Sequence, residues 1–137
     1  MESTLFKKNS HQEDLKNMEI PKIFESEYHF CEILWENEPI TSSELVKLCK
    51  ERLEWKKSTT YTVIRRLSER GVIKSENAIV TSLISKEEAQ SAESQEIVEK
   101  TFHGSLPSFI AAFTRKKQLT QKEIDEIQKI IDSYKES

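Results

Sequence analysis

One stretch of eleven residues, KKSTTYTVIRR from Lys56 to Arg66, concentrates side chains that could bind an anion. Four of its residues are basic, and one serine, three threonines and one tyrosine supply hydroxyl groups. Guanidinium groups can hold a phosphate through two parallel hydrogen bonds, and ammonium groups attract it as point charges. Runs of threonine favour strands, because β-branched side chains lose rotamer freedom in a helix. The chemistry therefore depends on which backbone structure presents these groups.

The apolar residues in and beside this stretch predict a helix from about Ser58 to Arg70. Val63, Ile64 and Leu67 are separated by one and three residues, and Thr60 lies three residues before Val63. This spacing places all four on one helix face, whereas a strand would alternate every second residue. The stretch is therefore predicted to be helical, with its β-branched residues divided between two faces.

The opposite face of this helix is predicted to be polar and basic. At 100° of rotation per residue, it carries Ser58, Thr59, Tyr61, Thr62, Arg65 and Arg66. These groups suit the major groove of DNA, since arginine can fork onto guanine and threonine methyls can contact thymine methyls. Lys56 and Lys57 lie at the helix start, where the helix dipole already favours phosphate. The alternative is a solvated amphipathic helix whose arginines serve only solubility.

Charge is unevenly distributed along the 137 residues. The whole chain has a net charge of −3, which by itself does not indicate a nucleic-acid-binding protein. Seven basic and two acidic residues lie between Arg52 and Lys74, so this segment carries +5 and the remainder carries −8. Because the local field decides where a polyanion docks, the segment stays a candidate for binding nucleic acid.

Two further helices are predicted before the basic one. Apolar residues between Phe24 and Trp35 follow a helical period, and the sequence from Asn37 to Pro39 ends that helix. Ile40 is interpreted as a short extended link. Thr41 or Ser42 can then cap the second helix.

A small β-hairpin is predicted after the basic helix. Gly71 suits the left-handed position that ends a helix, and two short β-type runs, 72–73 and 78–80, surround a polar turn. The chain has only two glycines and three prolines, which argues against a sandwich or barrel. The predicted fold is mostly α: a winged helix-turn-helix of three helices plus a short hairpin, whose third helix is the recognition helix.

Three more helices are predicted in the C-terminal part, and their apolar stripes favour a dimer. About fifty residues cannot bury these stripes alone, so mutual burial across a two-fold axis is the simplest explanation. The predicted dimer interface contains Phe102, Leu106, Phe109, Ile110, Phe113, Ile124, Ile127 and Ile131. The alternative is that the stripes pack back on the winged helix.

The chain is therefore divided into a flexible N-terminal tail (1–20), a winged-helix DNA-binding domain (21–84) and a helical dimerisation domain (85–137). The predicted function from these residues is binding of double-stranded DNA as a homodimer; that the DNA is an operator and the protein a transcriptional repressor is what the family resemblance given next implies. The predicted DNA-binding residues are Ser42, Ser43, Lys56, Lys57, Ser58, Thr59, Tyr61, Thr62, Arg65, Arg66 and Lys74.

The sequence from about Glu25 to Tyr134 resembles the penicillinase-repressor (BlaI/MecI/CopY) family of winged-helix regulators. The resemblance rests on ILWENEPIT and on W-x-x-x-T-x-x-T-x-x-x-R-L from Trp55 to Leu67, followed by the segments SLISKEEA, GSLPSFIAAF and LTQKEIDEIQKIID. It implies a dimeric repressor with an N-terminal winged helix on a dyad-symmetric operator and a C-terminal three-helix segment that makes the dimer. Resistance or stress genes would be the targets.

Four features depart from the family pattern. Lys56-Lys57-Ser58 stands where family members often have Ser-Pro-Lys, and the hairpin is short, with Lys74 as its only cation. The bond that matches the cleavage site of β-lactam-sensing members is Glu96-Ile97, without the phenylalanine. The cysteine-rich metal motif of the copper-sensing members is absent.

Several functional classes are disfavoured by the residue inventory. No glycine-rich phosphate loop or nucleophile elbow is present, so an enzyme is not expected. Cys31, Cys49 and the three histidines lack ligand spacing, so no metal, cofactor or small-molecule ligand is expected. The two cysteines are interpreted as reduced core thiols. No run approaches a membrane span, and the first residues resemble no signal peptide, so a cytoplasmic location is expected.

A second functional class also fits the sequence. A winged helix can serve as a protein-interaction module without sequence-specific DNA binding. The acidic total charge and the short hairpin motivate this alternative. Salt-sensitive DNA binding would distinguish the two classes, because phosphate contacts release counterions and protein contacts do not.

Overall fold

The structure is a computed structural model and describes residues 19–136. Most of the predicted N-terminal tail, residues 1–18, lies outside the described residues. The described part contains six helices and three short strands. They are α1 (Glu25–Asn37), β1 (Ile40–Thr41), α2 (Ser42–Leu53), α3 (Lys57–Glu69), β2 (Ile73–Glu76), β3 (Ile79–Ser82), α4 (Lys86–Phe102), α5 (Leu106–Thr114) and α6 (Gln121–Lys135).

The predicted fold class is confirmed: three helices and a hairpin are followed by further helices. The strands form one antiparallel sheet in the order β1-β3-β2. β2 pairs with β3 as the predicted hairpin, and β1 adds Ile40 opposite Val80 on the other edge of β3. Ile40, interpreted from sequence as a link, is therefore a strand residue. A two-residue strand has no periodicity that a sequence could reveal.

The described residues divide into two compact units, 19–92 and 93–136, with the division inside α4. The predicted boundary between residues 84 and 85 separates DNA binding from dimerisation, and it stays a prediction.

The core of the first unit lies where α1, α2 and α3 meet the sheet. The side chains of Phe30, Leu34, Leu45, Leu67 and Val80 are fully buried there. Each predicted helix face contributes to this core, because the 3.6-residue period brings its apolar residues to one side. The cluster of buried residues consists of Phe30, Cys31, Ile33, Leu34, Ile40, Leu45, Cys49, Val63, Ile64, Leu67, Val72, Ile73 and Val80.

Two tryptophans fix elements around this core. The indole Nε1–H of Trp35 donates a hydrogen bond to the Ile84 carbonyl oxygen at 3.0 Å, which ties α1 to the chain that follows β3. Trp55 stacks on Phe30 with ring centroids 6.2 Å apart and an interplanar angle of 5°. Trp55 lies two residues before the first residue of α3, so this contact helps to set where α3 begins.

Gly71 ends α3 as predicted. Its φ of +79° lies in the left-handed region, where a residue with a side chain is strained. The turn lets the backbone N–H of Val72 bond to the Leu67 carbonyl oxygen at 2.9 Å. The chain then enters β2 two residues after the glycine.

A partly buried ion pair ties the end of α3 to α1. The guanidinium of Arg70 donates to the carboxylate of Glu27, whose side chain is only 8% exposed, and Arg70 also donates to the Lys22 carbonyl oxygen at 2.9 Å. Burial acts to raise the pKa of Glu27, but hydrogen bonds from Arg70 and the Phe24 N–H, with the charges of Arg70 and Arg66, act against it. The net result is a lowered pKa for Glu27.

Replacing Glu27 with glutamine is expected to lower the free energy of unfolding at pH 7 by about 1.5–3 kcal/mol, the contribution of a hydrogen bond to a charged group. A carboxyl whose pKa is lowered by folding stabilises fully above its unfolded pKa, near 4.5 here, and loses this effect as pH falls through the folded pKa. Thermal unfolding from pH 7 to pH 3 should therefore show wild type and Glu27→Gln converging below about pH 4.5.

Glu36→Gln is the matched control for this experiment. Glu36 also pairs with an arginine, Arg52, but both side chains are exposed, so the loss should stay below about 1 kcal/mol. Equal losses for the two variants, or a difference that persists unchanged to pH 3, would contradict the assigned role of Glu27.

The second unit consists of the end of α4 with α5 and α6, and a side chain caps the start of each of the last two. The hydroxyl of Ser105 accepts from the Ser108 N–H, and Thr120 forms a capping box with Glu123. Phe109 contacts Phe102 edge-on at 5.5 Å between ring centroids. No residue of α5 or α6 is buried, although both helices carry large apolar side chains.

Candidate nucleic-acid interface

α3 begins one residue earlier than predicted, at Lys57, and Lys56 is its N-cap. The extended backbone of Lys56 accepts hydrogen bonds from the N–H groups of Thr59 and Thr60, but no side chain caps the helix. The first turn contains no acidic residue. The positive end of the helix dipole is therefore left without a negative side chain to offset it.

The two faces of α3 are divided as the sequence predicts. Thr60, Val63, Ile64 and Leu67 are buried against the core. The other face is polar: Lys56, Lys57, Ser58, Thr59, Tyr61, Arg65 and Arg66 are exposed, and Thr62 is half-buried. Within residues 19–136, the hydroxyls of Ser58, Thr59 and Thr62 make no hydrogen bond that would occupy them. This face can therefore offer all of its hydroxyls to a ligand.

Three cations between Arg52 and Lys74 form ion pairs with carboxylates. Arg70 pairs with Glu27, Arg52 donates to Glu36 at 2.9 Å, and the Lys74 ammonium lies 3.3 Å from a carboxylate oxygen of Glu76. Arg70 also lies over the Phe24 ring at 5.3 Å from its centroid. Their charges are offset locally, so they contribute little field to a polyanion.

The four other cations, Lys56, Lys57, Arg65 and Arg66, are all on α3 or its cap. Within the described part of the chain, none of them lies within 4.0 Å of a carboxylate oxygen. The ammonium of Lys57 lies over the Tyr61 ring, 5.9 Å from its centroid. The positive charge of residues 52–74 is therefore presented mainly by one helix. The same helix also presents the hydroxyls of Ser58, Thr59 and Thr62. We call this exposed face of α3, with Lys56, the basic face.

Ser42 and Ser43, also predicted to bind DNA, begin α2. The Ser42 N–H donates to the Ala78 carbonyl oxygen at 2.9 Å, which ties the start of α2 to the hairpin turn. The Ser43 hydroxyl lies 3.3 Å from that of Thr41, whose oxygen accepts from the Glu44 N–H. These serines are thus partly engaged within the fold, and their DNA contacts stay a prediction.

The hairpin presents Lys74 beside an acidic neighbour. Lys74 and Glu76 both lie on β2 and form an exposed pair. Asn77 and Ala78 make the turn with φ of +53° and +63°. The sequence did not predict the pairing of Lys74 with Glu76. Residues two apart share a face only in a strand, and the predicted β-type runs contained neither residue.

The rest of the described chain offers little other chemistry. Among residues 19–136, no three His, Cys, Asp or Glu side chains are grouped so that they could hold a metal ion. Cys31 and Cys49 are free and buried, as predicted. Burial raises the pKa of the Cys31 thiol to about 12 and also raises that of Cys49, so both thiols stay protonated and unreactive at neutral pH. In the same part of the chain, no helix is both long and apolar enough to cross a membrane.

Comparison with known proteins decides the family. A family model described as penicillinase repressor matches residues 23–133, which include the basic face and all six helices but the end of α6. The chain belongs to the penicillinase repressor family. The resemblance inferred from the sequence motifs is therefore confirmed.

Curated relatives of this penicillinase repressor family member have low identity but match nearly their whole length. The penicillinase repressor of Bacillus licheniformis is 23% identical over 120 residues, which cover 85% of this chain and 94% of the relative. The methicillin resistance regulatory protein MecI of Staphylococcus aureus strain Mu50 is 26% identical over 115 residues, covering 81% and 94%. MecI of Mammaliicoccus sciuri is 25% identical over 115 residues with the same coverage.

Proposed function

We propose that this chain is a DNA-binding transcriptional repressor that acts as a homodimer on a dyad-symmetric operator. α3 enters the major groove of each half-site, with the basic face toward the bases and phosphates. The main support for the proposal is a difference between cations: Arg52, Arg70 and Lys74 are paired with carboxylates, whereas the four on the basic face have no carboxylate partner among residues 19–136. Relatives named as repressors support the regulatory role.

The position of each group on the basic face supports a division of labour. Ser58, Thr62 and Arg65 lie nearest the direction opposite the buried side, so they would meet base edges. Lys56 and Lys57 lie at the helix start, where a phosphate also meets the helix dipole. Phosphate contacts would supply affinity and orientation, and base contacts would supply sequence preference.

The exposed apolar side chains of the second unit support the homodimer. Leu106, Ile110 and Phe113 on α5 are between 42% and 57% exposed, and Ile124 and Ile131 on α6 are similarly open. Stripes of this extent on two helices are typical of a subunit interface. A dimer would bring two copies of α3 to half-sites separated by about one helical turn of DNA, roughly 34 Å.

Replacing Lys56 and Lys57 together with alanine is expected to weaken binding to all DNA sequences and to reduce its salt dependence. Each lost phosphate contact lowers the slope of log K against log salt by about 0.9, so a dimer that loses four lysine contacts should lose roughly 3–4 units. Fluorescence anisotropy from 50 to 300 mM salt, on a duplex selected by the wild-type protein and on a random duplex, measures this slope.

The control is the pair Lys122 and Lys129, replaced by alanine in the same way; both lie on α6, on the side away from its apolar stripe. It removes the same charge from an exposed part of the second unit. Its slope should match that of wild type. A Lys56/Lys57 variant with unchanged slope would refute the phosphate role. Absence of salt-sensitive binding by the wild type would instead favour a protein-interaction module.

A further inference from the structure

The Lys57 ammonium and the Tyr61 ring form a pair at positions i and i+4 on the basic face. The ammonium lies 5.9 Å from the ring centroid, within the range of a cation–π interaction. Residues four apart on a helix are neighbours on its surface, so the contact follows from the helix geometry. Lys56 has no such aromatic neighbour, since the residue four positions after it is the buried Thr60.

Tyr61 has no evident structural task. It is 41% exposed, and it belongs to neither the buried cluster nor the partly buried residues packed against it. Among residues 19–136, the Lys57 ammonium is the only cation or aromatic group in contact with its ring. The exposed ring therefore serves the side chain of Lys57 rather than the core.

We propose that Tyr61 is a positioning residue that holds the Lys57 ammonium ready for a phosphate of the DNA backbone. This inference rests on the proposed function. A lysine side chain has a flexible four-carbon stem and loses rotamer freedom when its ammonium is fixed. Contact with the ring restricts that freedom before DNA binds, so less is lost on binding. The ammonium keeps its donors free, because the ring face accepts charge without using a hydrogen bond.

The contact between Lys57 and Tyr61 also bears on the start of α3. Lys56 and Lys57 stand where a side-chain cap would otherwise be placed, and α3 has no side-chain cap. A phosphate near the first turn would then depend on lysines for its contacts. Among residues 19–136, an aromatic ring lies beneath Lys57 and none lies beneath Lys56, so Lys57 should make the better ordered contact.

The test is a set of variants measured on the selected duplex and on the random duplex: Tyr61→Ala, Tyr61→Leu, Tyr61→Phe, Lys57→Ala and Lys57→Ala with Tyr61→Ala. A cation–π interaction at an exposed site corresponds to about a two- to fivefold change per protomer, hence roughly five- to thirtyfold for a dimer bound through both protomers. Tyr61→Ala and Tyr61→Leu should show this loss equally on both duplexes, because a phosphate contact is independent of sequence. Tyr61→Phe should retain wild-type affinity, because it keeps the ring.

The decisive comparison is the effect of Tyr61→Ala on affinity in the wild-type protein and in the Lys57→Ala variant. In the Lys57→Ala background, Tyr61→Ala should cause no further loss, since the group that it positions is gone. An equal loss in both backgrounds would overturn the proposal. So would a Tyr61→Phe variant as weak as Tyr61→Ala, which would assign the effect to the hydroxyl, or a loss confined to the selected duplex, which would make Tyr61 a reader of bases. Wild-type protein that binds neither duplex would refute the proposed function itself, which separates the two failures.

Discussion

Replacing Arg65 with alanine is expected to weaken binding to a duplex selected by the wild-type protein by about 5- to 150-fold for each half-site, hence by the square of that factor for a dimer bound to both, and to relax the base preference at one position of each half-site. The magnitude corresponds to the 1–3 kcal/mol that a bidentate contact between arginine and guanine contributes to discrimination. Arg65 is exposed, close to the centre of the basic face, and has no carboxylate partner among residues 19–136. Its removal should therefore leave the fold unchanged.

Arg66 should behave differently from its neighbour. It lies toward the side of α3 that faces α1, near enough for its charge to lower the pKa of Glu27. An arginine on this flank would meet the DNA backbone rather than a base edge, so Arg66→Ala should weaken binding to selected and random duplexes alike. The ratio of the two affinities should fall for Arg65→Ala and stay constant for Arg66→Ala.

Arg115→Ala is the matched control for both variants, because it removes an exposed arginine from outside the basic face. Its affinity for either duplex should stay within about twofold of wild type. Circular dichroism and thermal unfolding should show all three variants folded. An Arg65→Ala variant with the affinity and base preference of wild type would contradict the assignment of α3 as the recognition helix.

Two charges introduced into the apolar stripe of α6, Ile127→Glu with Ile131→Glu, are expected to convert the proposed homodimer into a monomer. Both side chains are exposed within the single chain, at 37% and 47%, so the substitution should not unfold it. At a subunit interface, four unpaired carboxylates would lie against apolar surface, which costs several kcal/mol. Analytical ultracentrifugation at micromolar concentration should show the variant at about half the wild-type mass.

The same variant should lose operator affinity through loss of linkage between the two recognition helices. A dimer binds its second half-site intramolecularly, which raises affinity by about 10²- to 10⁴-fold over a single site. Affinity for a dyad duplex should fall by that factor, and affinity for an isolated half-site should be unchanged.

Ser133→Glu provides the control, since it adds a carboxylate to α6 outside the apolar stripe and should leave the dimer intact. A dimeric Ile127→Glu/Ile131→Glu variant would show that these stripes are not the interface. Monomeric wild-type protein would contradict the homodimer altogether.

Local sequence signals predicted the elements of the winged helix well. The period of Val63, Ile64 and Leu67 defined the buried side of α3, and Gly71 marked its end at a left-handed position. These signals are encoded within a few residues, so they can be interpreted without knowledge of the fold. The start of α3 was predicted one residue late, because Lys56 caps the helix through its backbone and supplies no side-chain signal.

The ion pairs of Arg52 and Arg70 could not be predicted, because they depend on contacts between distant segments. Arg70 and Glu27 are 43 residues apart, and Arg52 and Glu36 are 16 apart. From the sequence, Lys56, Lys57, Arg65, Arg66 and Lys74 were predicted to bind DNA, but nothing indicated which cations of the segment pair with carboxylates. The packing of α1 against the ends of α2 and α3 pairs Arg52 and Arg70 with carboxylates, and Lys74 pairs with Glu76 on β2. The four cations of the basic face are the ones that remain.

Methylation interference on a duplex selected by the wild-type protein tests most directly whether the basic face reads DNA in the major groove. Methylation at N7 of guanine blocks the major-groove edge that an arginine would fork onto. We expect guanine methylation in two half-sites about one helical turn apart to prevent binding of the wild-type protein. In each half-site, one of these guanines should no longer interfere when Arg65 is alanine. If guanine N7 methylation does not interfere with binding, or if the pattern is identical for wild type and Arg65→Ala, the basic face does not read DNA in the major groove as proposed.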